Sequence, residues 1–342
     1  MNDTLMKNKL AEYGAETLKG IYAFIPKKEP QRYLYELISD YPTRGGKGFR
    51  PGLCIASCKA FGGSFEDAKY SAVALEMLHN AFLIHDDVED ESHYRRNRPT
   101  LHESNNRAIA INVGDAMNAL SLQPLWYNRR LLGEKLAQQI FMEVQQMVMD
   151  TTEGQALELG WRKDNRCDLT ETHYLQMILK KTCWYTCIRP LRIGALIGSK
   201  GTVDPDRFNK LGYFMGAAFQ IQDDILNLVG EESAYGKEIG GDIMEGKRTL
   251  MLIDLIAKCA PTERKRIQKF LALPIRERTE ANAREILNWM HRYEAITCAK
   301  ETSQYLAGAA LKEFYTHFSS LEDTEDKAFL ESLILYMINR RY

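Results

Sequence analysis

The sequence predicts an all-α protein, and three observations carry that prediction. Apolar residues recur three and four apart over several turns in many segments. Strictly alternating, strand-like runs are hard to find. Ten prolines and 23 glycines are few for 342 residues. Long helices are expected over 66–90, 134–150 and 207–229, each an apolar stripe at helical spacing. Breaks are expected at Pro42–Gly48, 92–100, Gly160–Asp168, Gly198–Pro205, 230–246 and 260–264, where glycine, proline and polar residues gather. No Pro/Ser/Gly-rich linker divides the chain, so 1–342 is read as one domain. Residues 1–40 form an N-terminal helical arm, 41–250 hold the chemistry-bearing motifs, and 251–342 supply C-terminal helices.

A hydrophobic fraction of 45% with 27% charged residues is that of a folded globular chain able to bury a core. The 45 basic and 46 acidic side chains nearly cancel, so no bulk field draws the protein to nucleic acid, and none is expected as a partner. Any anionic ligand must be held by a local cluster. The opening MNDTLMKNKLAEYGAE lacks the apolar centre of a secretory signal, and nowhere do about 18 apolar residues run together. No transmembrane segment is expected, and the protein is expected in the cytoplasm. Seven cysteines without zinc-knuckle spacing are expected to be reduced and buried.

Two acidic clusters stand out. At about 100° per residue, the carboxylates of Asp86, Asp87 and Asp90 fall on one side of a helix, where like charges repel unless a cation or solvent relieves them. Asp223, Asp224 and Asn227 repeat the spacing inside the far more apolar AAFQIQDDILNLV. Either cluster alone reads equally as a solvated helix end; the matching pair points to bound cations. Oxygen-only ligands favour a hard ion such as Mg²⁺, which takes a few carboxylates and completes its shell with water and phosphate oxygens.

Basic partners surround them. RGGKGFRP (44–51) places Arg44, Lys47 and Arg50 around a glycine turn before a helix, an arrangement that favours an anion. RRNRP (95–99) brings Arg95, Arg96 and Arg98 within two turns of the first acidic cluster, and guanidinium forks suit phosphate oxygens. Lys181-Thr182, Lys237 and Lys247-Arg248-Thr249 supply further donors, and His79 shares the helix face of Asp86.

Taken in order, GGKGFRP, EMLHNAFLIHDDVED, RRNRPT, KT, FQIQDDILN and GKEIGGDIMEGKRT resemble the motifs of the trans-isoprenyl diphosphate synthases, the polyprenyl synthase family. The resemblance spans roughly residues 40–250 and implies an isoprenoid synthase-type antiparallel helical bundle around a deep central cavity, found as a homodimer. It implies condensation of isopentenyl diphosphate with an allylic diphosphate through three Mg²⁺ ions. By position, Asp86, Asp87, Asp90, Asp223, Asp224 and Asn227 look like the metal-binding set, with Asp242 supporting it from behind. Arg95, Lys181, Lys237 and Lys247 look like holders of the allylic diphosphate, and Lys47, Arg50, His79 and Arg96 like the isopentenyl diphosphate site. Thr182 and Gln220 match polar groups beside the developing cation.

Two positions depart from the family pattern: Asn97 stands where glycine is usual, and Asn227 where the second motif commonly ends in aspartate. Phe82, one turn before Asp86, and its small neighbour Ala81 are the expected chain-length residues. One aromatic there suggests an intermediate product, geranylgeranyl diphosphate, with farnesyl or longer products as alternatives. A class I terpene cyclase shares the first acidic motif but needs no isopentenyl site. A non-catalytic subunit of a heteromeric synthase commonly loses an acidic motif, and this chain keeps both.

Overall fold

A computed structural model describes residues 3–229 and 240–339, and most of them are helical. The chain opens with α1 (Asp3–Phe24) and α2 (Glu36–Thr43), followed by α3 (Phe49–Ala60) and α4 (Phe65–Glu89). A two-stranded ribbon, β1 (Tyr94–Arg95) and β2 (Arg98–Pro99), leads to α5 (Leu101–Ser104), α6 (Arg107–Leu120), α7 (Leu122–Leu132) and α8 (Glu134–Lys163). Next come α9 (Glu171–Ile178), a π-helical segment (Leu179–Ile188), α10 (Arg189–Gly198) and α11 (Asn209–Val229). The chain closes with α12 (Gly241–Glu245), α13 (Leu250–Lys258), α14 (Pro261–Ala272), α15 (Glu280–Arg292), α16 (Ala295–Phe318) and α17 (Glu325–Asn339).

The expected long helices are present, with one difference. The helix expected over 134–150 continues to Lys163, because Gly154 within it serves close packing rather than a break. The helix α4 starts where Ser64 and Asp67 cap each other: Ser64 Oγ accepts the Asp67 amide, and the Asp67 carboxylate accepts the Ser64 amide at 2.9 Å. Its apolar residues bury on two sides. Leu75 and Leu78 join the main core with α3, α10 and α11, while Met77, Ala81 and Ile84 meet α1, α2 and α6 in a second cluster. Packed on both flanks, α4 is fixed in rotation, and its remaining face bears His79, Phe82 and Asp86.

The expected break at 92–100 is a hairpin. Arg96 and Asn97 both adopt positive φ (53° and 59°), the left-handed pair that a two-residue turn between strands requires. Asparagine tolerates that conformation, so Asn97 fills the place of a glycine without disrupting the turn. Helix α1 packs on α3, α4 and α17, burying Met6, Tyr13 and Ile21. All seven cysteines are free; five are buried and Cys167 and Cys298 are half-buried. No helix among the described residues is long and apolar enough to cross a membrane.

Candidate active site

Five stretches converge on one cavity of about 740 Å³: the loop before α3, the inner face of α4, the hairpin, the middle of α8 with the π-helical segment, and the end of α11 with Asp242 of α12 and residues 247–249 after it. Lys47, Arg50, His79, Phe82, Asp86, Arg95, Arg96, Lys181, Thr182, Gln220, Asp223, Asp224, Asp242 and Lys247 all line it. Both acidic clusters therefore face a single space. Lys247 joins them, its Nζ 2.9 Å from Asp90 Oδ2 and 3.4 Å from Asp242 Oδ1.

The three carboxylates of the first cluster separate. Asp86 faces the cavity, with Lys181 Nζ at 3.6 Å. Asp90, one turn on, is buried; burial alone would raise its pKa, but Lys247, Lys181 and Arg162 hold it well below the usual carboxylate range. Asp87 leaves the cavity wall altogether. It is fully buried and accepts hydrogen bonds from Tyr41 Oη at 2.6 Å and from the Arg95 guanidinium, with Nε at 2.9 Å. The expected sharing of one face by all three thus holds for the i, i+4 pair only, since a residue about 100° away points to the neighbouring helix.

The second cluster also divides. Asp223 and Asp224 line the cavity, whereas Asn227 is buried with its Oδ1 accepting the Asp242 amide at 2.9 Å, which pins the turn carrying Asp242. Asp224 accepts from Tyr174 Oη and Gln220 Nε2, both at 2.7 Å, and Thr182 Oγ1 donates to Gln220 Oε1 at 2.8 Å. Burial and the neighbouring Asp242 push Asp224 well above the usual carboxylate range, the mark of a site short of positive charge. Lys237 lies outside the described residues.

Among the described residues no three acidic, histidine or cysteine side chains gather closely enough to enclose an ion by themselves. The two clusters are instead open carboxylate sets on a common cavity. That donor chemistry fits a hard divalent cation that keeps water and takes further ligands from a phosphate.

Elsewhere on the cavity wall Arg50 stacks over the Tyr185 ring at 4.1 Å and donates to Tyr185 Oη and to Thr186 Oγ1 at 2.8 Å. His79 Nδ1 lies 3.3 Å from Tyr185 Oη. Burial, then Arg50, Arg96 and Arg95, keep its imidazole neutral. Arg44, expected among the anion-binding cations, turns away: it donates to the carbonyls of Arg95, Arg98 and Pro99 and pairs with Asp40, so it braces the hairpin that presents Arg95 and Arg96. Ala81 is buried in the second cluster with Met77 and Ile84 and does not share the cavity wall with Phe82.

Several residues in or beside the site have no counterpart in the sequence reading. Glu158 of α8 pairs with Lys181, and Arg162 one turn on pairs with Asp90. Glu76 and Tyr185 line the wall around Arg50, and Tyr336 of α17, in a region given no functional role, reaches the cavity with its ring 5.9 Å from Lys47 Nζ. A charged pair at i, i+4 within α8 was the available signal for Glu158 and Arg162.

Comparison with known proteins agrees with this geometry. Residues 31–290 match the family model for polyprenyl synthetases. A geranylgeranyl diphosphate synthase of Sulfolobus acidocaldarius is 36% identical over 238 residues, 70% of this chain and 71% of that protein. A nonaprenyl diphosphate synthase of Rhodobacter capsulatus is 35% identical over 229 residues, 67% of each chain. The crystal structure of a geranylgeranyl pyrophosphate synthetase from Pyrococcus horikoshii superposes with a TM-score of 0.87 at 27% identity, covering 100% of both chains. With its all-α isoprenoid synthase fold and its match across most of the family model, the chain belongs to the polyprenyl synthetase family and is a polyprenyl diphosphate synthase.

Proposed function

We propose that this enzyme condenses isopentenyl diphosphate with dimethylallyl, geranyl or farnesyl diphosphate and releases geranylgeranyl diphosphate. The observation that carries the reading is the meeting of both acidic clusters and the Arg50/Arg96 wall on one cavity. The carboxylate side takes the allylic diphosphate and Mg²⁺, three ions in all. Asp86, Asp90, Asp223 and Asp224 hold the metal, with Asp242 in support, Asp87 aligning Arg95, and Asn227 aligning Asp242. When bound, Mg²⁺ supplies positive charge to the departing diphosphate as a Lewis acid. Arg95, Lys181 and Lys247 add fixed cationic charge to the same leaving group, and Lys237, outside the described residues, is assigned to it by the sequence motif. Lys47, Arg50, Arg96 and neutral His79 seat isopentenyl diphosphate so that its double bond faces the allylic carbon. Gln220 and Thr182 turn polar atoms toward the cation as it forms.

The product assignment rests on Phe82 at the cavity wall and on relatives that carry that product in their names. A longer product is the alternative that the nonaprenyl synthase relative favours. A homodimer is part of the same proposal. Among the described residues, nine of the fifteen exposed large apolar side chains lie on the consecutive helices α6, α7 and α8, Trp126 and Met142 among them. A cytoplasmic setting suits seven unpaired cysteines.

The test is steady-state kinetics on Asp86→Ala and Asp223→Ala, with circular dichroism to verify folding. Turnover is expected to fall by at least about a hundredfold in each, the scale of losing one electrostatic partner of a transition state, and chelation is expected to abolish activity. Near-normal rates in both variants would remove the proposed metal site.

A further inference from the structure

One ionisable group in the cavity does not suit an anion. Glu76 lines the same wall as Arg50, His79 and Arg96, yet forms no ion pair with a described residue. Its Oε2 is buried without a hydrogen-bond partner, and its Oε1 receives only a long contact of 3.5 Å from Asn80 Nδ2. Neither cation beside it has a carboxylate partner among the described residues, and the hydrogen bonds of Arg50 go to the neutral hydroxyls of Tyr185 and Thr186. Arg50 Nε is buried without a partner, and Arg96 makes only a 3.4 Å contact to the Tyr41 carbonyl. A carboxylate that served as counter-ion to either guanidinium would sit against it. This one stands off.

We propose that Glu76 meets the diphosphate of the condensing substrate as a neutral carboxylic acid and donates a hydrogen bond to one of its oxygens, so that this substrate binds together with one proton. The proposal rests on the assignment of Arg50, Arg96 and His79 to isopentenyl diphosphate. Its chemistry is that of any carboxyl facing an anion: the charged form repels the ligand, and the protonated form offers it an O–H donor. Burial already favours the protonated form, raising the group above its usual range despite the opposing pull of Arg50 from α3 and Arg96 from the hairpin. An arriving diphosphate neutralises both cations and adds negative charge, and each change drives protonation further. The other titratable groups lining this wall are Tyr185 of the π-helical segment, neutral His79 one turn along α4, Arg95 of the hairpin, and Lys47 in the loop before α3. Glu76 Oε2 has no hydrogen-bond partner within the protein, so a proton on it is free to be donated to the substrate oxygen.

The measurement is KM for isopentenyl diphosphate against pH, at saturating allylic substrate, in wild type and Glu76→Gln. Calorimetric titration of wild type in buffers of different ionisation enthalpy counts the protons taken up. Above the pKa of free Glu76, wild-type KM is expected to rise tenfold per pH unit relative to the variant. The variant, which keeps a donor at all pH values, should bind more tightly than wild type at the alkaline end. The KM of the allylic substrate should keep the same pH dependence in both. Parallel profiles, with the variant weaker by one factor throughout, would make Glu76 a brace for the arginines and overturn the proposal while leaving the site assignment standing. Failure of wild type to bind isopentenyl diphosphate at any pH would overturn both. Since glutamine is isosteric and the calorimetric count is made on wild type, above the pKa of free Glu76, a poorly folding variant leaves the test intact: no proton uptake there beyond that of the free ligand refutes the proposal.

Discussion

Asp86 and Asp87 are neighbours in the chain with opposite tasks, and the difference arises from one helical step. Asp86 and Asp90, one turn apart, stay on the side of α4 that meets Lys181 and Lys247, whereas Asp87 points at Tyr41 and Arg95. Removing Asp87 would leave Arg95 with only its longer 3.4 Å contact to Asp86, so its effect on catalysis passes through the arginine. Phe82 illustrates the same geometry in its apolar form. It lies one turn before Asp86, faces the cavity, and packs edge-on against Tyr185 with ring centroids 5.7 Å apart and planes at 87°. Replacing it with alanine removes a ring from the wall, and Tyr185 holds its place through Arg50. Phe82→Ala is therefore expected to shift product toward chains at least one isoprene unit longer, read by chromatography of the dephosphorylated products. An unchanged distribution would remove Phe82 as the stop.

The π-helical segment is the element on which the site turns, since it carries Lys181, Thr182 and Tyr185 between α8 and α11. Its wider backbone leaves no room for side chains on its neighbours, and both supply glycine. A Cβ on Gly154 of α8 would stand 2.2 Å from the Lys181 amide nitrogen, and one on Gly216 of α11 would stand 2.7 Å from Cys183 Cα. Gly154→Ala must push the segment away, at a cost of about 1–3 kcal/mol for overpacking, and it displaces Lys181. We expect kcat to fall at least about tenfold, one decade per 1.4 kcal/mol of lost transition-state binding, together with a lower Tm. Gly160→Ala on the same helix is the control, because a Cβ there meets nothing within 4 Å and should be neutral or slightly stabilising. Equal behaviour of the two variants in thermal melts and kinetics would dismiss the close-approach argument. Such elements mark the limit of legibility in the sequence. The helices α4 and α11 were readable because apolar spacing is local, and the acidic pairs on them came with it. The π-helical segment was not, since its hydrogen-bond shift is set by what packs on either side. Nor was Tyr336, whose arrival at the cavity depends on α17 docking through Asp326, which Tyr13 and Lys59 of distant helices hold. The role of Arg44 was misread for a related reason: a cation in a glycine loop looks like an anion ligand until the hairpin carbonyls it bonds are brought beside it.

Across the whole molecule, the same helices that wall the cavity also carry its exposed apolar surface. Asn118 of α6 and Thr151, Gln155 and Glu158 of α8 line the inside, while Ile111, Leu122, Trp126, Phe141, Met142 and Met149 on α6–α8 are exposed. Trp126 and Met142 remain 65% and 55% exposed, so much of their apolar surface stays in water in a lone chain. Burying such side chains against a second copy would remove each from water for about 1.5–3 kcal/mol, and a two-fold contact uses every one of them twice. The double variant Trp126→Glu, Met142→Glu should therefore sediment at half the mass of the wild type. Wild-type Tm should rise with protein concentration and that of the variant should not, because association stabilises only the species that dimerises. A wild-type protein that sediments as a monomer at micromolar concentration, or a variant that remains a dimer, would rule out this surface as the interface. Loss of the partner should also loosen α8, through which Glu158 and Arg162 hold Lys181 and Asp90, so the monomeric variant is expected to show a reduced kcat as well as the lower mass.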